Sequence, residues 1–131
     1  MSVTVTLDAS QFNDLEGFYT TIYGLMDWHE DWEPAHNLDA LNDVLYSGFG
    51  TGPVILIWEQ AGKSKAELGR EATRVFYQNK IDQGKPYNIT WAQEQLDALN
   101  AGEGQTLFDI IVEIFQSHQA ITLLLKENQE G

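Results

Sequence analysis

Along this chain the spacing of apolar residues changes repeatedly, and each change announces a new element. Val3, Val5 and Leu7 alternate with Thr4 and Thr6, the period of a strand with one face covered. Phe12, Leu15, Phe18, Ile22 and Leu25 then recur at helical spacing, behind a start signal at Asp8 or Ser10. Pro34 forces Glu33 out of helical conformation, so residues 27–36 read as a loop. Residues 54–58, Val-Ile-Leu-Ile-Trp, form a continuous apolar run behind Pro53 and a turn at Gly48, Gly50 and Gly52. Such a run predicts a strand buried on both faces, as in a parallel sheet. Helices are expected over 66–83 and over 91–99, the latter behind Thr90 and Gln93, and again from Thr106 with Asp109. In the last of these, Leu107, Ile110, Ile111, Ile114 and Phe115 make one apolar stripe, and residues 120–126 read as a final strand. The order strand, helix, helix, strand, helices, strand predicts an α/β domain: a small three-stranded parallel sheet covered by helices.

The stretch around which this pattern is arranged is 37–45, Asn-Leu-Asp-Ala-Leu-Asn-Asp-Val-Leu. On a helix, at about 100° per residue, Leu38, Leu41, Val44 and Leu45 share one side, while Asp39, Asn42, Asp43 and Tyr46 share the other. Asn37 is the natural N-cap. Asp39 then lies in the first turn, where an acid gains about 0.3–1 kcal/mol from the helix dipole, so on its own it is explained as a helix starter. Asp43 has no such account. It stands a turn further in, about 6 Å from Asp39, where like charges oppose the helix by about 0.2–0.5 kcal/mol. No Lys or Arg precedes Lys63 to balance it. The loop carrying Asp31, Trp32, Glu33 and His36 runs straight into this helix and flanks its bare side. Aromatics beside charges on an exposed surface are typical of binding hot spots. The candidate partner-binding residues are therefore Asp31, Trp32, Glu33, His36, Asp39, Asn42, Asp43 and Tyr46.

Charge sharpens this picture. Of the net −13, residues 1–62 carry −10, with ten acids and no Lys or Arg, and the rest carries −3. A field of that sign repels nucleic acid and hastens encounter with basic proteins. Six bases stand against three acids between Lys63 and Lys85, a local excess that can fold back on the acidic half. At 131 residues the chain is expected to be a single domain, 1–131. It has no cysteine, so no disulfide framework and no thiolate metal site is available. His29 and His36 lie among acids in no ligand spacing, and no metal or cofactor is expected. Without a signal-like or membrane-length apolar run, the expected location is cytoplasmic, away from the membrane. Two carboxylates about 6 Å apart also suit a glycosidase, whose pairs stand roughly 5–9.5 Å apart. Nothing in the sequence buries either acid to raise its pKa, and no enzyme activity is expected.

The segment 37–45, followed by a glycine-containing turn, Pro53 and an apolar strand ending in Trp58, resembles the barstar family of intracellular ribonuclease inhibitors. The likeness covers residues 3–65 and 106–126. The family pattern is Asn-Leu-Asp-Ala-Leu, an aromatic, Asp, any residue, Leu, then a Pro-led strand ending in Trp. The resemblance implies a protein that plugs a ribonuclease or ribonuclease-type toxin, with Asp39 and Asp43 standing where substrate phosphates would sit. Charge-assisted bonds to the enzyme's basic groups would explain two acids on one bare helix face. The alternative within the same surface is an immunity or regulatory protein whose basic partner is not a ribonuclease. Three departures stand out: Asn42 replaces the family aromatic, Glu33-Pro34-Ala35-His36 replaces a Tyr-Gly element, and the segment between Trp58 and the last helix is long. The excess is expected to be an insertion at about 66–105, packed on the domain but separable from the inhibitory surface.

Overall fold

A computed structural model describes residues 3–26, 34–46, 49, 52–84 and 88–126. Among the described residues there are three strands and six α-helices. In chain order they are β1 (Val3–Asp8), a 3₁₀ turn (Ala9–Gln11), α1 (Leu15–Gly24), α2 (Leu38–Val44), β2 (Val54–Glu59), α3 (Ala61–Glu67), α4 (Arg70–Gln83), α5 (Ile89–Asn100), α6 (Leu107–Gln116) and β3 (Ile121–Leu125). The strands form one parallel sheet of order β1-β2-β3, with Val3 opposite Val54 and Val54 opposite Ile121. The expected α/β architecture is the one observed.

Several boundaries move for local reasons. The first helix begins at Leu15, not near Phe12, because Asp14 is its N-cap and accepts from Gly17 N at 2.8 Å. Asp8 caps the preceding 3₁₀ turn instead. The helix expected over 66–83 is broken in two at Gly69, where a Cβ would lie 2.9 Å from the Lys65 carbonyl oxygen, a contact that only glycine avoids. The fifth helix starts at Ile89 because Asn88, not Thr90, accepts the capping bond, from Trp91 N at 3.0 Å. The capping box of Thr106 and Asp109 forms as expected. Gly48 and Gly50 lie outside the described residues.

The core occupies one side of the sheet. Val54, Leu56 and Trp58 of β2 are buried there with Phe18, Ile22, Leu41, Phe108, Ile111 and Phe115. Trp58 is fully enclosed: its ring stacks on Phe18 at 5.6 Å, and its indole N–H donates to the buried Ser64 hydroxyl at 3.0 Å. On the sheet's other side Thr4, Thr6 and Thr122 are exposed, and Ile55 and Ile57 are only half-buried. The apolar run of β2 thus identified a central parallel strand correctly, but not burial on both faces. Its even-numbered residues carry the core.

α4 meets that core through Ala72 and Phe76, and α5 lies beyond it. They pack on each other as a hairpin around a small separate cluster of Tyr77, Ala92 and Leu96, and Arg74 Nε donates across it to Asn100 Oδ1 at 3.0 Å. The foot of the hairpin is closed by two bonds. Phe108 N donates to Leu68 O at 3.0 Å, and Leu107 N donates to the buried Thr73 hydroxyl at 2.7 Å. That hydroxyl donates in turn to Gly69 O at 2.7 Å.

Candidate functional site

α2 is short, and its neighbours decide how it is presented. Asn37 accepts from Ala40 N at 2.7 Å as the N-cap, and Leu41 is completely buried while Leu45 closes the inner side. The approach to the helix is pinned by α1: Tyr23 Oη donates to Ala35 O at 2.8 Å, and His36 Nδ1 meets the Glu16 carboxylate. His36 also lies against the rings of Tyr19 and Tyr23, at 5.5 and 5.7 Å. Burial raises the Tyr19 hydroxyl pKa, with Tyr23, Glu16 and Asp39 adding to the effect, so this hydroxyl stays protonated. His36, a candidate contact residue, is therefore engaged by the fold itself.

Asp39, Asp43 and Tyr46 emerge on the outer side, all exposed, with Tyr46 at 73%. The Asp43 carboxylate has no hydrogen bond or ion pair among the described residues. Asn42 does not share their freedom. It is half-buried, and its Oδ1 accepts from His118 Nε2 at 2.8 Å. The His118 ring, itself buried at the turn between α6 and β3, meets Tyr46 edge-on at 4.4 Å. Burial lowers the His118 pKa from 6.5, and the Asn42 bond works against that shift. Position 42 is thus a strut between α2 and the end of α6, and Tyr46 with His118 supplies the ring surface at this end of the helix. Asp31, Trp32 and Glu33, together with Trp28 and His29, lie outside the described residues.

A hollow flanks α2 at each end. One, of about 430 Å³, is lined by Leu45, Tyr46 and His118. The other is a cleft of about 730 Å³ between α2, α1 and the α4–α5 hairpin, where Asp39 and Leu38 face Phe76, Tyr77, Lys80 and Trp91. Lys80 and Trp91 were not singled out as site residues in the sequence. The surplus of bases between Lys63 and Lys85 is the signal that points to Lys80, and it does fold back on the acidic half, whereas no such signal singles out Trp91. Asp39 acts electrostatically on Lys80, and Lys63 Nζ donates to Ala9 O, Phe12 O, Asn13 Oδ1 and Glu67 Oε1. Among the described residues no group of three or more His, Asp or Glu side chains is placed to hold a metal ion, and no helix is long and apolar enough to cross a membrane.

An exposed Asp-x-x-x-Asp helix between a capped entry and a central strand that carries Trp58 is thus an observed arrangement. A model of the family Barstar (barnase inhibitor) matches residues 2–78. The chain belongs to this family. The matched segment contains α2, the whole β1–β2 pair and most of α4. No curated protein and no solved structure matches the chain. The members of this family are inhibitors of ribonucleases and not enzymes.

Proposed function

We propose that this barstar-family protein inhibits a ribonuclease by laying the outer side of α2 over the enzyme's basic active site. Asp39 and Asp43 take the places of substrate phosphates there, and Tyr46 adds aromatic contact. The observation that carries the reading is Asp43: an exposed carboxylate on the family's signature helix with no partner of its own among the described residues. Such a group is available to accept charge-assisted hydrogen bonds from Arg, Lys or His of another protein. The −10 carried by residues 1–62 would draw that protein in.

The hairpin fits the same reading as an insertion. Leu68 and Phe108 are joined by a backbone bond at 3.0 Å at the foot of the hairpin. The inserted element, expected from sequence at about 66–105, would on this reading span 69–106, although the family match extends into its first helix as far as residue 78. The test of function is inhibition of a panel of small basic ribonucleases, barnase among them, by wild type and by Asp43→Ala. Stoichiometric inhibition that is lost in Asp43→Ala supports the proposal. Inhibition of none of them, with wild type folded, refutes it in favour of a basic partner of another kind.

A further inference from the structure

The cleft beside Asp39 holds an arrangement that an α2-only interface does not use. Lys80 of α4 lies with its ammonium 4.7 Å above the Phe76 ring, in the same cleft as Asp39, and the two charges interact. Opposite, Trp91 of α5 is 45% exposed despite its size, and its ring makes a T-shaped contact with Tyr77 at 5.5 Å. The cleft thus already accommodates a cation on an aromatic ring beside a carboxylate, and the hairpin itself supplies that cation. A flat indole face next to a carboxylate is the surface that best receives a guanidinium, by stacking and by paired hydrogen bonds.

We propose that the α4–α5 hairpin is the second wall of the partner interface, and that its cleft receives an arginine side chain of the basic partner. This arginine takes over Asp39 from Lys80 and lies against Trp91, while Lys80 turns out to solvent. Lys80 then acts as a resident competitor. A cation that reaches Asp39 alone only replaces the Lys80 charge in the cleft, whereas one that also covers Trp91 adds aromatic contact. The hairpin therefore selects among basic partners, and is not separable from the inhibitory surface as its sequence suggested. This inference rests on the reading of α2 as a surface for a basic partner.

The probe is a hexa-arginine peptide, titrated into the full chain and followed by NMR at the Trp91 indole N–H. The variants are Lys80→Met, Asp39→Asn, Trp91→Ala and, as a charge-matched control, Lys65→Met at an exposed position outside the cleft. The expected result is that the peptide shifts the Trp91 signal, and that Lys80→Met binds about two- to fivefold tighter, as removal of one competing charge near the surface implies. Lys65→Met should gain clearly less, and both Asp39→Asn and Trp91→Ala should bind more weakly. A peptide that leaves Trp91 unmoved, or a Lys80→Met gain no larger than that of Lys65→Met, overturns the proposal. If Lys80→Met proves unfolded by circular dichroism, Lys80→Gln takes its place under the same criteria. Ribonuclease inhibition by the same proteins and by Asp43→Ala separates the two ideas. Inhibition that depends on Asp43 but ignores Trp91 and Lys80 sinks the hairpin alone, whereas absence of any inhibition alongside the peptide pattern sinks the ribonuclease and leaves the hairpin standing.

Discussion

Replacing Asp43 by alanine should make the protein more stable and its binding much weaker. α2 ends at Val44, so Asp43 sits in the last turn, at the negative end of the helix dipole and one turn from Asp39. An acid placed there costs about 0.3–1 kcal/mol. Relief of repulsion from Asp39 adds about 0.2–0.5 kcal/mol, and the better helix propensity of alanine adds up to about 0.7 kcal/mol. Solvent exposure screens the charge terms, and a net gain of about 1 kcal/mol is expected, equivalent to a rise in Tm of about 3–5 °C for a chain of this size. Against this, truncating a charge that is desolvated in an interface costs about 2–5 kcal/mol, a general range to which the family's type complex itself contributes. That is a loss of about 30- to 5,000-fold in affinity. Urea denaturation gives the first quantity, and titration calorimetry against the inhibited ribonuclease gives the second. An Asp43→Ala protein that is destabilised by more than about 1 kcal/mol, yet binds normally per folded molecule, would refute the assignment of Asp43 as a functional acid. Asp39→Ala supplies the contrast, because it forfeits a favourable first-turn charge and the attraction to Lys80, and should lose a little stability.

Further outcomes follow from other joints of the molecule. Thr73→Val should destabilise by about 1–3 kcal/mol in chemical denaturation, because it leaves the buried Leu107 N–H without its acceptor at the foot of the hairpin. Tyr46→Ala should weaken binding without lowering stability appreciably, since the ring is 73% exposed and contributes contact area outward. His118 has a folded-state pKa below 6.5, so between that value and 6.5 the unfolded chain binds the extra proton. Stability is then full above 6.5 and falls as the pH drops through the folded value, and His118→Gln should flatten this part of the profile in pH-dependent urea titrations. Stopped-flow association should slow steeply from low to physiological salt while dissociation changes less, and an association rate indifferent to salt would contradict steering by the acidic half.

How far the sequence could be read depended on the range of the interactions involved. The strand alternation at Val3–Asp8, the Asn37 cap and the Thr106–Asp109 box are set by residues within a few positions of each other, and they appear as expected. The outward placement of Asp39, Asp43 and Tyr46 follows from helical period alone. Asn42 has the same period but not the same fate, because a residue 76 positions away, His118, supplies its partner. The break at Gly69 was missed because one glycine within a helical pattern does not itself say that the chain turns there, so tightly that a Cβ would lie 2.9 Å from the Lys65 carbonyl oxygen. The presence of Lys80 in the cleft of Asp39 was visible only as a surplus of bases, with no means of telling which base would arrive. Burial on both faces of β2 was inferred from composition, and composition does not say on which side helices will stand.

The strand order β1-β2-β3 has a kinetic consequence. In a parallel sheet no two neighbours are joined by a tight turn, and here Val3 meets Val54 across 51 positions and Val54 meets Ile121 across 67. Every strand pairing must therefore close a long loop before any hydrogen bond rewards it, the condition under which folding is slow. During synthesis β2 can find β1 early, but its second edge stays bare until residues 121–125 have left the ribosome. Through that interval the chain carries an unpaired apolar strand, Val-Ile-Leu-Ile-Trp, of the kind that invites pairing between molecules. Its acidity has a second use at that stage: chains of which residues 1–62 already carry −10 repel one another while the sheet is still incomplete.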